Sequence, residues 1–239
     1  MKTKHLALAL LAVFSFLCLF GCNDRLFDNP NDPAAETRAY EILSTLQVDG
    51  IVPVDLTFSG DALWVVDSLS RVLALNYNSG ALIRELDFPK PAAGIAYDGK
   101  DLWLSVKNSS QLVQVNIVTG TLIRVLNLLR GNFGCLDFAA GRLYVADRLS
   151  NSVLVVDPGS GTIERSIPQP GSAIDGVSHD GDNLWTIDAT QMKFFQLDEI
   201  GFPLNLYQTP SRQAAGLAYA EGIFWCGERT GKVFKLRFQ

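Results

Sequence analysis

Histidine is nearly missing from this sequence: His5 and His179 are the two in 239 residues. A metal site built from several histidines is therefore excluded. So is a Ser-His-Asp nucleophile, which would need a histidine to spare. No Gly-x-Ser-x-Gly elbow and no Gly-rich phosphate loop occurs. Positive charge is also short. Lys and Arg number 20 against 25 Asp and Glu, a formal charge of −5, which argues against a nucleic-acid partner. Cysteine is scarce, and beyond the N-terminal segment only Cys135 and Cys226 remain. Two thiols make no disulfide framework, and both read as buried small apolar residues. The longest apolar run, Leu6–Phe20, falls short of the ~20 residues of a spanning helix. After it, no stretch has convincing helical periodicity.

Lys2 and Lys4 precede that run and Gly21-Cys22 follow it. A basic start, a short apolar core and a small residue read as an export signal. Leu19-Phe20-Gly21-Cys22 resembles the bacterial lipoprotein box, with Phe20 bulkier than the residue usual there. The resemblance implies that residues 1–21 are removed and that Cys22 is acylated. The chain would then be held by lipid in the bacterial cell envelope, on the periplasmic or outer-surface side. An ordinary signal peptide is the alternative, although no Ala-x-Ala site lies nearby. Losing Lys2 and Lys4 moves the formal charge from −5 to −7. Residues 22–39, including the polar "NDRLFDNPNDPAAE", are expected to form a flexible tether.

What the sequence has in abundance is self-similarity. "DLTFSGDALWVVD", "GIAYDGKDLWLSV", "CLDFAAGRLYVAD", "GVSHDGDNLWTID" and "GLAYAEGIFWCGE" share one pattern. Their aromatic anchors Trp64, Trp103, Tyr144, Trp185 and Trp225 fall 39, 41, 41 and 40 residues apart. Gly80, Gly120, Gly161 and Gly201 repeat at 40, 41 and 40. Each unit reads as four short strands, the third unit clearest: 135–138, 143–146, 153–156 and 162–167. Four strands per ~40 residues is the signature of a propeller blade. The expectation is an all-β, five-bladed β-propeller over residues 40–239. In the fifth unit the next anchor glycine would fall beyond Gln239, which leaves three strands and an open edge. "YEILSTLQV" supplies the fourth: Val48 lies 16 residues before Trp64, as Leu128 lies 16 before Tyr144. It should pair with 233–238 and close the ring.

The stretch "LYVADRLSNSVLVVDPGSGTIERSI" resembles the Tyr-Val-Thr-Asn type propeller repeat of bacterial exported proteins. The array as a whole resembles the glutaminyl cyclase-like and streptogramin lyase-like propellers. The resemblance is specific for fold; propellers host unrelated functions. Lyase-like members use a channel-face histidine, and no loop here offers one in a matching place. Cyclase-like members carry Gly-Leu-Glu in a first strand, where this chain reads Asp55-Leu56-Thr57.

The hairpin turns "SGDA", "DGKD" and "DGDN" are short and alike, so a site is expected on the opposite face, at the mouth of the central channel. First strands line that channel. Gly94, Gly176 and Gly216 suit a narrow axis, whereas Asp55, Asp137 and the nearby Asp175 depart from the repeat. Three readings apply to these carboxylates. They accept backbone amides, or hold a hard cation such as Ca2+, or serve a cationic ligand or acid–base chemistry through raised pKa values. Asp55 and Asp137 are the catalytic candidates. Asp67, Asp147, Asp188 and Glu228 recur three residues past the anchors, which favours strand-end capping over a negative rim. Lys90, Arg130, Asn132, Arg212 and Gln213 do not repeat and are the ligand candidates. The tryptophans and His179 occupy core positions. The expected function is non-catalytic binding of an envelope protein, peptide or small ligand by a monomer, with no required cofactor. An enzyme of the two resembled types and a structural envelope protein are the alternatives.

Overall fold

The structure, a computed structural model, describes residues 38–239; the leader, Cys22 and nearly all of the tether lie outside the described residues. Twenty strands form five four-stranded antiparallel sheets. β1 (Tyr40–Gln47) comes first. Blade 1 holds β2 (Pro53–Phe58), β3 (Leu63–Asp67), β4 (Val72–Leu75) and β5 (Leu82–Leu86). Blade 2 holds β6 (Ala92–Tyr97), β7 (Leu102–Val106), β8 (Gln111–Val115) and β9 (Leu122–Asn127). Blade 3 holds β10 (Phe133–Ala139), β11 (Arg142–Asp147), β12 (Ser152–Val156) and β13 (Ile163–Pro168). Blade 4 holds β14 (Gly176–His179), β15 (Leu184–Asp188), β16 (Lys193–Leu197) and β17 (Pro203–Gln208). Blade 5 holds β18 (Ala214–Ala220), β19 (Ile223–Glu228) and β20 (Lys232–Phe238).

The three inner strands of a blade pack against neighbouring blades on both faces, so they read as near-continuous apolar runs. β3, β7, β12 and β15 are buried at every position. Fourth strands lie outermost, and β5, β9 and β13 carry exposed residues along most of their length. The anchors are core: Trp64, Trp103, Tyr144, Trp185 and Trp225 are all buried. Gly80, Gly120, Gly161 and Gly201 have φ of 75, 71, 75 and 90°. That left-handed conformation, together with close approach to the preceding fourth strand, explains why the turn between third and fourth strands repeats glycine.

Blade 5 takes its outer strand from the start of the domain, in the order β1-β20-β19-β18. Tyr40 pairs with Phe238 and Leu46 with Val233, the expected closure. Arg38 joins the ring earlier than the tether boundary suggested: its N–H donates to the Leu206 carbonyl at 2.9 Å. Phe238 then seals the seam. Its ring lies 5.3 Å from Tyr40, 4.5 Å from Trp185, 4.6 Å from Tyr207 and 5.0 Å from Phe224.

Phe238→Ala empties the centre of this aromatic cluster. A loss of about 3 kcal/mol is expected for a half-buried phenylalanine, measured by denaturant unfolding. A loss below about 1 kcal/mol would show that the seam does not hold the ring.

Candidate functional site

First strands meet at the axis so closely that the expected channel is shut there. A Cβ on Gly94 would stand 2.0 Å from the Gly134 carbonyl oxygen. One on Gly216 would stand 2.6 Å from the Asp55 Cα. Only glycine fits such an approach, and Gly216 also has a φ of 72°.

Each first strand is the inner edge of its sheet, so its outward N–H groups have no partner strand. The axial carboxylates supply the acceptors. Asp55 is fully buried, and its Oδ2 accepts from Ile95 N and Leu136 N, both at 2.9 Å. One carboxyl of blade 1 thus ties blades 2 and 3. Its Oδ1 is buried without a partner. Asp137 Oδ2 accepts from His179 N at 2.6 Å and Ser178 Oγ at 3.4 Å, tying blade 3 to blade 4. Asp175 stands nearer the surface. Its Oδ2 accepts from Ala189 N at 3.0 Å, and its Oδ1 pairs with Arg229 at 2.7 Å. The three carboxylates are therefore not brought together. Among the described residues no group of three or more His, Cys, Asp or Glu is placed to hold a metal ion.

Burial sets the protonation of the axial pair. Desolvation pushes the Asp55 carboxyl well above the ordinary 3.8, against amide bonds that oppose it. Desolvation likewise raises Asp137 to about 7. Cys135 and Cys226 are free and buried. His179 packs against Tyr144 in a tilted pair with ring centroids 4.8 Å apart, and its Nδ1 accepts from Gly181 N. Desolvation holds it below the ordinary 6.5.

The repeated acids are buried caps, not a rim. Asp67 Oδ1 accepts from Leu69 N and Arg71 N. Asp147 Oδ1 accepts from Asn132 N and Leu149 N. Asp188 accepts from Ser172 N and Gln191 N. Glu228 accepts from the Ser211 and Thr230 hydroxyls. The mouth face carries Lys90, Lys107, Arg130, Arg148, Arg212 and Arg229 alongside the exposed Asp49 and Asp87. In blades 2, 3 and 5 it is sewn by backbone bonds between the 2–3 loop and the loop entering the same blade: Lys107 N to Pro91 O, Arg148 N to Asn132 O and Arg229 N to Gln213 O. The opposite turns carry Asp61, Asp98, Asp101, Asp180, Asp182 and Glu221. A net acidic chain thus keeps most of its loop cations on one face.

The expected ligand residues all lie on this face but do not converge. Lys90 bonds Gln111 Oε1. Arg130 is exposed. Asn132 has a buried Oδ1 without a partner. Arg212 donates to the Thr190 carbonyl at 2.9 Å, and Gln213 N bonds Ser211 Oγ. Lys107 and Arg148 also stand here. Each directly follows a repeat position, Val106 and Asp147, which is the one signal of them in the sequence. Two grooves of about 410 Å3 open elsewhere. One is lined by Gln47, Asp49 and Arg71, the other by Trp103, Gln114 and Arg124.

No family model and no curated protein matches this chain. Solved structures do. Myxococcus xanthus glutaminyl cyclase superposes with a TM-score of 0.72 at 14% identity, covering 85% of this chain and 97% of its own. Virginiamycin B lyase from Staphylococcus aureus gives 0.52 at 14% identity, covering 78% and 66%. A streptogramin B lyase gives 0.52 at 13%, covering 84% and 98%. The neighbours are thus glutaminyl cyclase-like and streptogramin B lyase propellers, and at such identity the likeness is one of fold.

Between about pH 4 and pH 7 the folded chain holds more protons on Asp137 than the unfolded chain does, and the raised Asp55 carboxyl acts in the same direction. The Asp137 stabilisation is complete at low pH and is lost as pH rises through about 7. Thermal unfolding should therefore show stability falling from about pH 5 to about pH 8, by up to a few kcal/mol. Asp137→Asn, which keeps an acceptor for His179 N, should flatten that fall. An unchanged profile would contradict the assignment.

Proposed function

We propose that this protein is a lipid-anchored binding propeller of the bacterial cell envelope, non-catalytic, held to a membrane through acylated Cys22. Its mouth face takes a protein, peptide or small ligand that carries an anionic group. The observation that carries the reading is the division of labour among charges. Asp55 and Asp137 are spent on edge amides at a closed axis, while the surrounding loops present cations to solvent. The side of blades 4 and 5 is the more built. There the Arg212 guanidinium is fixed on Thr190 O, beside the Asp175–Arg229 pair. Exposed cations add little to affinity singly but steer and select by charge. The resemblance to two groups of enzymes supports the fold, and Asp137 near neutrality has the pKa of a general acid. Yet its carboxyl is desolvated and already bonded to His179 N, which favours a structural role.

The test uses immobilised protein against acidic, neutral and basic peptide panels. Acidic peptides should be retained preferentially. Arg212→Glu with Gln213→Glu should weaken retention about tenfold, whereas Asp55→Asn and Asp137→Asn should leave it intact. In the same preparations, Cys22→Ser should move the protein from the membrane to the soluble fraction after a high-salt wash. Retention indifferent to peptide charge, or turnover abolished by the Asp→Asn changes, would overturn the reading.

A further inference from the structure

Three loops at the boundary of blades 2 and 3 differ from the rest of the mouth face. They are residues 107–110, 128–133 and 148–151. Backbone bonds lock them together: Phe133 N to Ser109 O at 3.0 Å, Leu128 N to Ser110 O at 3.1 Å and Arg148 N to Asn132 O at 3.0 Å. Each loop carries one cation: Lys107, Arg130 and Arg148. None of the three has a side-chain hydrogen bond or ion pair among the described residues. Elsewhere arginines are engaged: Arg71 with Asp67, Arg142 with Glu164, Arg165 with Glu199 and Arg229 with Asp175. The single acid at these loops, Asp147, is turned under them to accept Asn132 N and Leu149 N. The patch is therefore net positive.

Two leucines stand among these cations. Leu129, next to Arg130, is fully exposed, and Leu149, next to Arg148, is 70% exposed. Large apolar residues at the tips of rigid loops contribute nothing to the core, and they cost solubility. At the repeat position of Leu149, blades 2, 4 and 5 carry Asn108, Thr190 and Thr230. Blade 1 carries Leu69, also 73% exposed. On the mouth face the exposed leucines thus lie within blades 1 to 3, the side of the unpaired cations.

We propose that these loops dock onto an anionic lipid bilayer. Leu129 and Leu149 enter the headgroup layer, and Lys107, Arg130 and Arg148 meet the lipid phosphates. Leucine beside unpaired Lys or Arg is the composition that holds proteins at such a surface, since apolar burial and attraction to anionic lipid act together. The three cations stand on three separate loops, which suits a plane of charge. A soluble anion would leave the leucines unused. Charge complementarity also fixes the orientation, because the acidic opposite face is repelled by the same surface. The proposal does not depend on acylation of Cys22, nor on the ligand site assigned to Arg212.

The experiment uses residues 36–239, which form a compact unit with a closed ring and its own core. It is co-sedimented with phosphatidylcholine vesicles, with and without phosphatidylglycerol. Binding is expected only to the anionic vesicles, and it should fall as salt rises. Arg130→Glu and Arg148→Glu should each weaken partitioning at least about fivefold. Leu129→Ser and Leu149→Ser should each weaken it about tenfold at constant charge. These positions are exposed, so melting temperatures should not move. Arg212→Glu should bind like the parent, which separates this surface from the ligand site. Equal binding to neutral vesicles would overturn the proposal. So would no binding, leucine variants that bind like the parent, or full competition by soluble glycerol phosphate.

Discussion

A wheel of five sheets has to satisfy the inner edges of its own blades. The amides on those edges face a space too narrow for water-filled loops or another strand. Asp55 is the solution on one side: a single carboxyl oxygen accepts from Ile95 of blade 2 and Leu136 of blade 3. Asp137 does the same for His179 of blade 4. The glycines at 94, 134 and 216 let the backbones come close enough for those bonds. The cost of desolvating a carboxylate is avoided by keeping the proton, which is why burial raises both groups. A carboxyl held this way serves as an acceptor between blades.

The architecture was almost fully legible in the sequence because a propeller writes itself as a period. Two sets of anchors, aromatic and glycine, gave blade number and strand order. The offset of Val48 from Trp64 gave the closing strand. These are local signals, repeated, and tertiary packing reinforces them. The capping role of Asp67, Asp147, Asp188 and Glu228 was also readable, since recurrence at one position points to a shared local geometry.

The site was legible only in part. Asp55, Asp137 and Asp175 stood out as departures from the repeat, but the sequence left their role open among amide acceptor, cation ligand and catalyst. Deciding between those needs distances across blades. The closeness of Gly94 to Gly134 is a distance between neighbouring blades, and the period counts the blades without fixing how tightly they meet. The same holds for the cations. Arg148 and Arg229 look alike in sequence, yet Arg229 pairs with Asp175, whereas Arg148 lies over Gly134 with no hydrogen bond or ion pair among the described residues. The outcome is a wheel with an acidic underside and most of its loop cations at the mouth, whose blades 2 and 3 add exposed leucines and whose blades 4 and 5 add a fixed Arg212. Under the proposed reading, one half of that face meets a lipid surface and the other a ligand.

The central claim is that axial carboxyls bind edge amides across blades. Hydrogen exchange at single residues tests it most directly. The amides of Ile95 and Leu136 lie on strand edges and would exchange quickly if open to solvent. The account predicts that both are protected to the level of the core and that Asp55→Ala speeds their exchange by at least about tenfold, the change spreading to blades 2 and 3 together. Fast exchange of these amides in the parent protein, or unaltered protection in the variant, would contradict it.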